Sequence, residues 1–124
     1  MHILLVKTRS ELRGVRALEG FICLEPLELE IVAGAVGSED SVRILDLRLQ
    51  KDPQQAFLDV LRAEQPDLIG FTGYSIHVQA IKDLSKLAKE RRPEALVIVG
   101  GVHASLLPYD FMVAEIDLVI RGEG

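Results

Sequence analysis

Short apolar runs alternate along the whole chain with stretches of helical periodicity. His2–Lys7 is an apolar run of strand length, and Val42–Leu47, Leu68–Thr72, Leu96–Val99 and Leu118–Ile120 repeat the pattern. Runs this short, rich in Val, Ile and Leu, predict buried strands. Between them, Leu24, Leu27, Ile31 and Ala35 recur at helical spacing and predict a helix over Leu24–Val36, with Gly37 as its C-terminal stop. Asp52-Pro53-Gln54-Gln55 opens a second helix: Asp52 as N-cap, Pro53 at the first helical position, and Gln55 placed to complete a capping box. Its inward stripe is Phe57, Leu58 and Leu61. It must stop near Gln65, because the residue before Pro66 is pushed out of the helical region. A third helix starts with Ser75 as N-cap and runs to about Arg91, before Pro93, with Ile81, Leu84, Leu87 and Ala88 facing inward. Thr8–Gly20 reads as a polar loop and Pro108–Ala114 as a short helix.

Strands that alternate with helices imply a parallel sheet covered on both faces, because parallel neighbours require right-handed crossovers. Five such strands take the order 2-1-3-4-5, a flavodoxin-like (Rossmann-like) three-layer α/β sandwich. Ligands of open α/β sheets sit at the C-terminal strand ends, at the point where the order reverses. Here that point lies between the first and third strands, framed by Thr8–Gly14 and Thr72–His77. The fourth and fifth strands both stop in glycine, at Gly100-Gly101 and at Gly122-Glu123-Gly124. Glycine there lets a ligand lie against bare backbone. With the hydroxyls of Thr8, Ser10, Thr72 and Ser75, these turns suit a large, mostly neutral ligand with polar edges. Any one glycine taken alone reads as a tight turn. Glycines at two neighbouring strand ends, opposite hydroxyls at a third, point to a ligand.

Composition narrows the ligand. The 124 residues make one domain, 48% hydrophobic, with a net charge of −5. Lys and Arg are scattered, and the one cluster, Lys86 with Lys89–Arg92, sits where a helix C-terminus favours cations. Nucleic acid is thereby disfavoured as a partner. No apolar run reaches the ~20 residues of a membrane span, and Met1-His2-Ile3 leads straight into a strand rather than a signal peptide. The single cysteine, Cys23, excludes an internal disulfide and a cysteine-only metal site and fits a reducing cytoplasm. With no base in view, it reads as a small apolar residue. The first strand-to-helix turn, Lys7-Thr8-Arg9-Ser10-Glu11-Leu12-Arg13-Gly14, lacks the G-x-G-x-x-G of dinucleotide sites, and no G-x-x-x-x-G-K-[ST] occurs. Lys7 and Thr72-Gly73 stand where a phospho-accepting receiver domain needs acidic groups.

Thr72-Gly73-Tyr74-Ser75, Val99-Gly100-Gly101-Val102-His103 and Ile116-Asp117-Leu118-Val119-Ile120-Arg121-Gly122-Glu123-Gly124 together resemble the cobalamin-binding domain of cobalamin-dependent radical S-adenosylmethionine enzymes, including the magnesium-protoporphyrin ester cyclase group. Val42-Arg43-Ile44-Leu45-Asp46 resembles that family's second strand, so the likeness covers nearly the whole chain. The resemblance implies that Thr8, Ser10, Thr72, Gly73, Tyr74, Ser75, Gly100, Gly101, His103, Gly122, Glu123 and Gly124 hold cobalamin, with Tyr74 the aromatic best placed to meet the corrin. Many cobalamin domains carry D-x-H-x-x-G after the first strand, the His ligating cobalt. Matched on Gly14, this chain has Arg9 and Glu11 at the Asp and His places. The implied state is cobalamin with its benzimidazole displaced and no histidine ligand; Tyr74, water or nothing beneath cobalt all stay open.

In that family the domain precedes a barrel whose C-x-x-x-C-x-x-C motif holds a 4Fe–4S cluster that works with S-adenosylmethionine. The motif does not occur in this chain. Residues 1–124 are therefore expected to be the cofactor domain of a longer methyltransferase or cyclase, partnered by the downstream barrel. Alone they carry neither catalytic nor metal-ligating residues, and a bare fifth strand would allow the fragment to form a homodimer. A cofactor-free interaction or structural domain of the same fold is the open alternative. His103 suits a contact to the ligand tail or adjoining domain, or a cap on local backbone. His77, at the positive end of a helix that disfavours its protonation, suits a neutral polar contact, but simple exposure is the expected outcome. Glu123 suits a ligand ribose or amide, or a downstream segment.

Overall fold

The computed structural model describes residues 1–10, 12, 14, 17, 18 and 25–122. Five parallel strands form one sheet: β1 (His2–Lys7), β2 (Ser41–Asp46), β3 (Leu68–Thr72), β4 (Leu96–Gly100) and β5 (Leu118–Val119). Their order is β2-β1-β3-β4-β5, as the alternation predicts. Register aligns the C-terminal ends: Lys7 pairs with Asp46 and with Thr72, and Thr72 pairs with Gly100.

Strand periodicity divides the core. Leu4, Val6, Ile69, Phe71, Val97 and Val99 face one side and bury Phe57, Val60 and Leu61 of α2 (Pro53–Glu64) with Ile81, Leu84 and Ala88 of α3 (Val78–Arg91). The Phe57 and Phe71 rings meet at 5.9 Å between centroids. Ile3 and Leu5 face the other side and meet Leu29 of α1 (Leu27–Gly34), a much smaller cluster. Among the described residues, that second face is the more thinly covered one.

Several local expectations change. Helix α1 is shorter than Leu24–Val36 and begins after Pro26; Leu24 lies outside the described residues. Its inward residue is Leu29, while Leu27 and Ile31 are exposed. Leu27, Leu29, Ile31 and Val32 are all apolar, so periodicity alone does not select the buried face. Gly37 is not left-handed, and the helix ends on a right-handed Ala35. In α2, Asp52 caps as expected by accepting from the Gln55 N–H at 3.0 Å. The Gln55 side chain donates instead to Asp59, so half of the box forms. Gln65 closes the helix with φ 47°.

Ser75 does not cap α3. A 3₁₀ turn over Ser75–His77 intervenes, with Tyr74 at its cap. After β4 comes a short helix not expected from the sequence, α4 (Val102–Leu106). Pro108–Phe111 forms a 3₁₀ turn in place of a helix to Ala114. Of the Thr8–Gly20 stretch, Thr8–Ser10 are irregular, whereas Gly14, Ala17 and Leu18 have helical backbone. Leu12, Val15 and Leu18 do recur at a helical interval. Among the described residues no helix is long and apolar enough to cross a membrane.

Candidate functional site

The open face of the sheet carries a trough because β3 has a glycine in its middle. A Cβ on Gly70 would lie 3.0 Å from Leu5 Cδ2 and 3.6 Å from Ile98 Cγ1. A glycine inside a strand marks a close approach of something else to the backbone. The resulting cleft, of about 240 Å³, runs from Leu5, Gly70 and Ile98 up to Thr72, Gly100, Gly101 and Gly122, with Leu29 and Val32 of α1 as one wall. Its upper end lies at the C-terminal edge of β3 and β4.

Gly101 turns the chain there. Its backbone, φ 97° and ψ −170°, is a conformation open essentially to glycine alone. A Cβ at this position would stand 2.5 Å from Thr72 Oγ1 and 3.3 Å from the Gly73 nitrogen. The Thr72 hydroxyl and the Gly73 backbone therefore pack against the bare backbone of Gly101. Gly122, at φ 79°, makes the corresponding turn after β5. Ser105 of α4 ties the turns together: its hydroxyl donates to the Gly101 carbonyl at 2.8 Å and accepts from the Gly122 N–H at 2.9 Å.

Two buried histidines brace the turn after β3. His77 accepts the Tyr74 N–H on Nδ1 at 3.0 Å, so that nitrogen carries no proton. It is 4% exposed, which corrects the expectation of a solvent-facing ring. The first turn of the helix folds back on the strand end, where Gly73 leaves room; a Cβ there would be 2.7 Å from His77 Cβ. His103 is also buried. Its Nδ1 is hydrogen-bonded to Ser75 Oγ at 2.9 Å, its Nε2 to Asp110 Oδ2 at 2.6 Å, and its ring meets Phe111 edge-on. These partners are side chains, so His103 does not cap local backbone. Tyr74 and Ser75 themselves are exposed at the edge.

Paired charges gather at this edge around the ends of β1 and β2. Lys7 is buried, pairs with Glu28 of α1, and holds Nζ 5.7 Å from the centre of the Tyr74 ring. Arg48 grips Asp46 through two nitrogens, Nε at 3.0 Å and Nη2 at 2.7 Å. Burial pushes the Asp46 carboxyl up, but the hydrogen bonds from Arg48 and the charges of Arg48 and Lys7 outweigh it and hold it below its ordinary value. For Glu28 burial likewise acts upward, and the Lys7 hydrogen bond, its own backbone N–H and the charges of Lys7 and Arg48 bring it down overall.

Thr8 and Ser10 are fully buried beside this edge. Ser10 Oγ accepts the Leu12 N–H at 3.1 Å. The Thr8 hydroxyl has no hydrogen-bond partner among the described residues. Glu123 and Gly124 lie outside the described residues. The structure thus brings Thr72, Gly73, Tyr74, Ser75, Gly100, Gly101, His103 and Gly122 to one edge.

The family model described as "B12 binding domain" matches residues 18–124 of the chain. The chain belongs to the B12-binding domain family. It is 37% identical over 109 residues to the hopanoid C-3 methylase of Methylococcus capsulatus, which covers 84% of this chain and 21% of that protein. It is 33% identical over 66 residues to the anaerobic magnesium-protoporphyrin IX monomethyl ester cyclase of Cereibacter sphaeroides, covering 52% and 11% respectively. The B12-binding domain thus spans about a fifth or less of the length of these relatives. A cobalamin-binding protein from Desulfitobacterium hafniense has the same fold, with a TM-score of 0.66 and 17% identity, over 98% of this chain and 53% of that one.

The structure also brings residues to the cleft of this B12-binding domain that periodicity had absorbed into the core. Gly70, Leu5 and Ile98 read as ordinary strand positions; the mid-strand glycine was the available signal. Lys7 and Ser105 join the edge through tertiary contacts alone. Asp117, by contrast, sits at the opposite pole of the sheet. It directly precedes β5 and accepts from the Val97 N–H at 2.7 Å and from Lys89 at 2.6 Å. Its place in the motif is structural. Cobalamin fits the residues present at the cleft: apolar walls of Leu5, Leu29, Val32 and Ile98 around Gly70, where a Cβ would crowd Leu5, and an upper end made of the Thr72 hydroxyl and the bare backbone of Gly100, Gly101 and Gly122. Among the described residues no group of three or more His, Cys, Asp or Glu side chains could hold a metal ion.

Proposed function

We propose that this domain binds cobalamin at the C-terminal edge of its sheet, with the benzimidazole tail displaced into the glycine-floored trough and no histidine on cobalt. The observation that carries the reading is the trough itself. Gly70, Gly100 and Gly101 leave one face of β3 and β4 bare for a flat apolar group; a Cβ at Gly70 would crowd Leu5, and one at Gly101 would crowd Thr72. The histidines support the second half. His2 is engaged at the far pole by Ser41 and Glu64. His103 has both ring nitrogens committed, and His77 Nδ1 is held by Tyr74. Thr8, Ser10, Thr72–Ser75, Gly100, Gly101, His103, Gly122, Glu123 and Gly124 make up the proposed cofactor edge.

In the longer protein this domain serves as the cofactor module of a radical S-adenosylmethionine methyltransferase or cyclase, beside a barrel that carries the 4Fe–4S cluster. The names of the matched relatives, a methylase and a cyclase, support that reading. Bound cobalamin supplies a cobalt centre able to carry a methyl group; the residues of this domain bind and orient it. Mixing the chain with hydroxocobalamin and removing free ligand by gel filtration tests the reading. A visible spectrum that co-elutes with the protein is expected, and its reduced cobalt(II) form should lack the electron paramagnetic splitting of an axial nitrogen. A colourless protein overturns the binding reading; nitrogen splitting overturns the ligation.

A further inference from the structure

Ser75, His103 and Asp110 form a hydrogen-bonded chain that ends at the open edge of the sheet. The His103 ring is 6% exposed and bridges the turn after β3 to the 3₁₀ turn Pro108–Phe111. Asp110 Oδ2 lies 2.6 Å from Nε2, and Ser75 Oγ lies 2.9 Å from Nδ1. An ionised carboxylate only accepts hydrogen bonds, so Nε2 carries the proton. In the neutral ring Nδ1 then has a lone pair, and the Ser75 hydroxyl must donate to it. The hydroxyl proton is used inward, and the oxygen lone pairs of this exposed residue remain for whatever lies over the edge.

We infer that Ser75 is a specificity residue whose oxygen accepts an amide N–H from the bound ligand, and that His103 and Asp110 are positioning residues that fix this sense. The inference rests on the cobalamin reading and deepens it. The corrin bears peripheral primary carboxamides, the donor class that a serine oxygen held in this way selects. Without the pair behind it, a serine hydroxyl rotates freely and serves as donor or acceptor alike. With the pair, one of the two roles is removed before the ligand arrives.

Two measurements on the intact chain test this. Nitrogen-15 spectra of the ligand-free protein report the His103 tautomer directly. A proton on Nε2 is expected in the wild type, and a mixture of tautomers in Asp110→Ala. Binding of hydroxocobalamin is then compared across variants of Ser75 and Asp110, both exposed side chains. Ser75→Ala is expected to bind about three- to tenfold more weakly, the range of one net hydrogen bond. Ser75→Thr, which keeps the hydroxyl, should stay within about twofold of the wild type, and Asp110→Ala should fall between. A wild-type ring protonated on Nδ1, or a Ser75→Ala variant that binds as tightly as wild type, overturns the assignment while leaving the cobalamin reading intact. Failure of the wild type to hold cobalamin overturns both, and the tautomer still shows whether the ring is set as described.

Discussion

Replacing Gly101 by alanine is the sharpest perturbation that this geometry defines. Two costs add. The backbone at φ 97° and ψ −170° lies in a region that side chains rarely enter, which is worth about 1–3 kcal/mol. The new Cβ would also stand 2.5 Å from Thr72 Oγ1, well inside contact. Thr72 can yield by rotating, but it is half-buried between two strand ends, so relief adds roughly 1 kcal/mol, toward the low end of overpacking costs. The expected loss is about 2–4 kcal/mol in all, read by urea unfolding at equilibrium. Gly100 supplies the control, since its Cβ would find nothing nearer than 3.9 Å and its φ is not positive. Gly100→Ala should fall within about 0.5 kcal/mol of wild type. Thr72→Ala made together with Gly101→Ala should recover the contact part and leave the backbone part, a coupling near 1 kcal/mol. In whatever fraction stays folded, Gly101→Ala should retain cobalamin at least tenfold less well, about 1.4 kcal/mol. A Gly101→Ala protein as stable as Gly100→Ala would refute the reasoning.

Gly70→Ala separates binding from folding: the new Cβ comes tight only against the flexible tip of Leu5, at 3.0 Å, and meets Ile98 at ordinary contact distance, so stability should change by no more than about 1 kcal/mol while cobalamin retention on gel filtration falls sharply. Asp52→Ala removes the cap on Gln55 and should cost about 1 kcal/mol by thermal or urea unfolding, with Asp52→Gly costing less. Burial pushes Asp117 up, yet Lys89 and the Val97 N–H outweigh it and hold it below its ordinary 3.8. A depressed carboxyl stabilises the fold above that value and loses the contribution as pH falls through the folded one. Asp117→Asn should therefore be about 1 kcal/mol less stable than wild type at neutral pH and converge with it in acid unfolding curves below pH ~4. Convergence at neutral pH instead would show that the Lys89 contact contributes nothing.

The strand order and the glycine turns at the C-terminal ends of β4 and β5 were legible because they depend on coarse signals. Five apolar runs and the glycines at Gly100–Gly101 and Gly122 suffice to place the switch point. Finer features depended on tertiary choices that one-dimensional periodicity does not contain. Helix α1 offers apolar residues on several faces, and only the position of Ile3 and Leu5 selects Leu29. Ser75 has the chemistry of an N-cap, but the His103 ring arrives from 28 residues away and takes its hydroxyl. His77 is polar and near a helix start, and it is buried because Gly73 leaves space for it. Gly70 and Lys7 look ordinary in sequence. One becomes the floor of the cleft and the other a buried cation beside it, through neighbours on other strands.

Amide chemical-shift mapping of the nitrogen-15-labelled domain titrated with hydroxocobalamin tests the central claim most directly. The account predicts that changes concentrate at Gly70, Thr72–Ser75, Gly100, Gly101 and Gly122, the cleft and its rim, and spare the opposite pole at Asp67 and Asp117. Changes centred on that opposite pole, or no changes at saturating hydroxocobalamin, would contradict it.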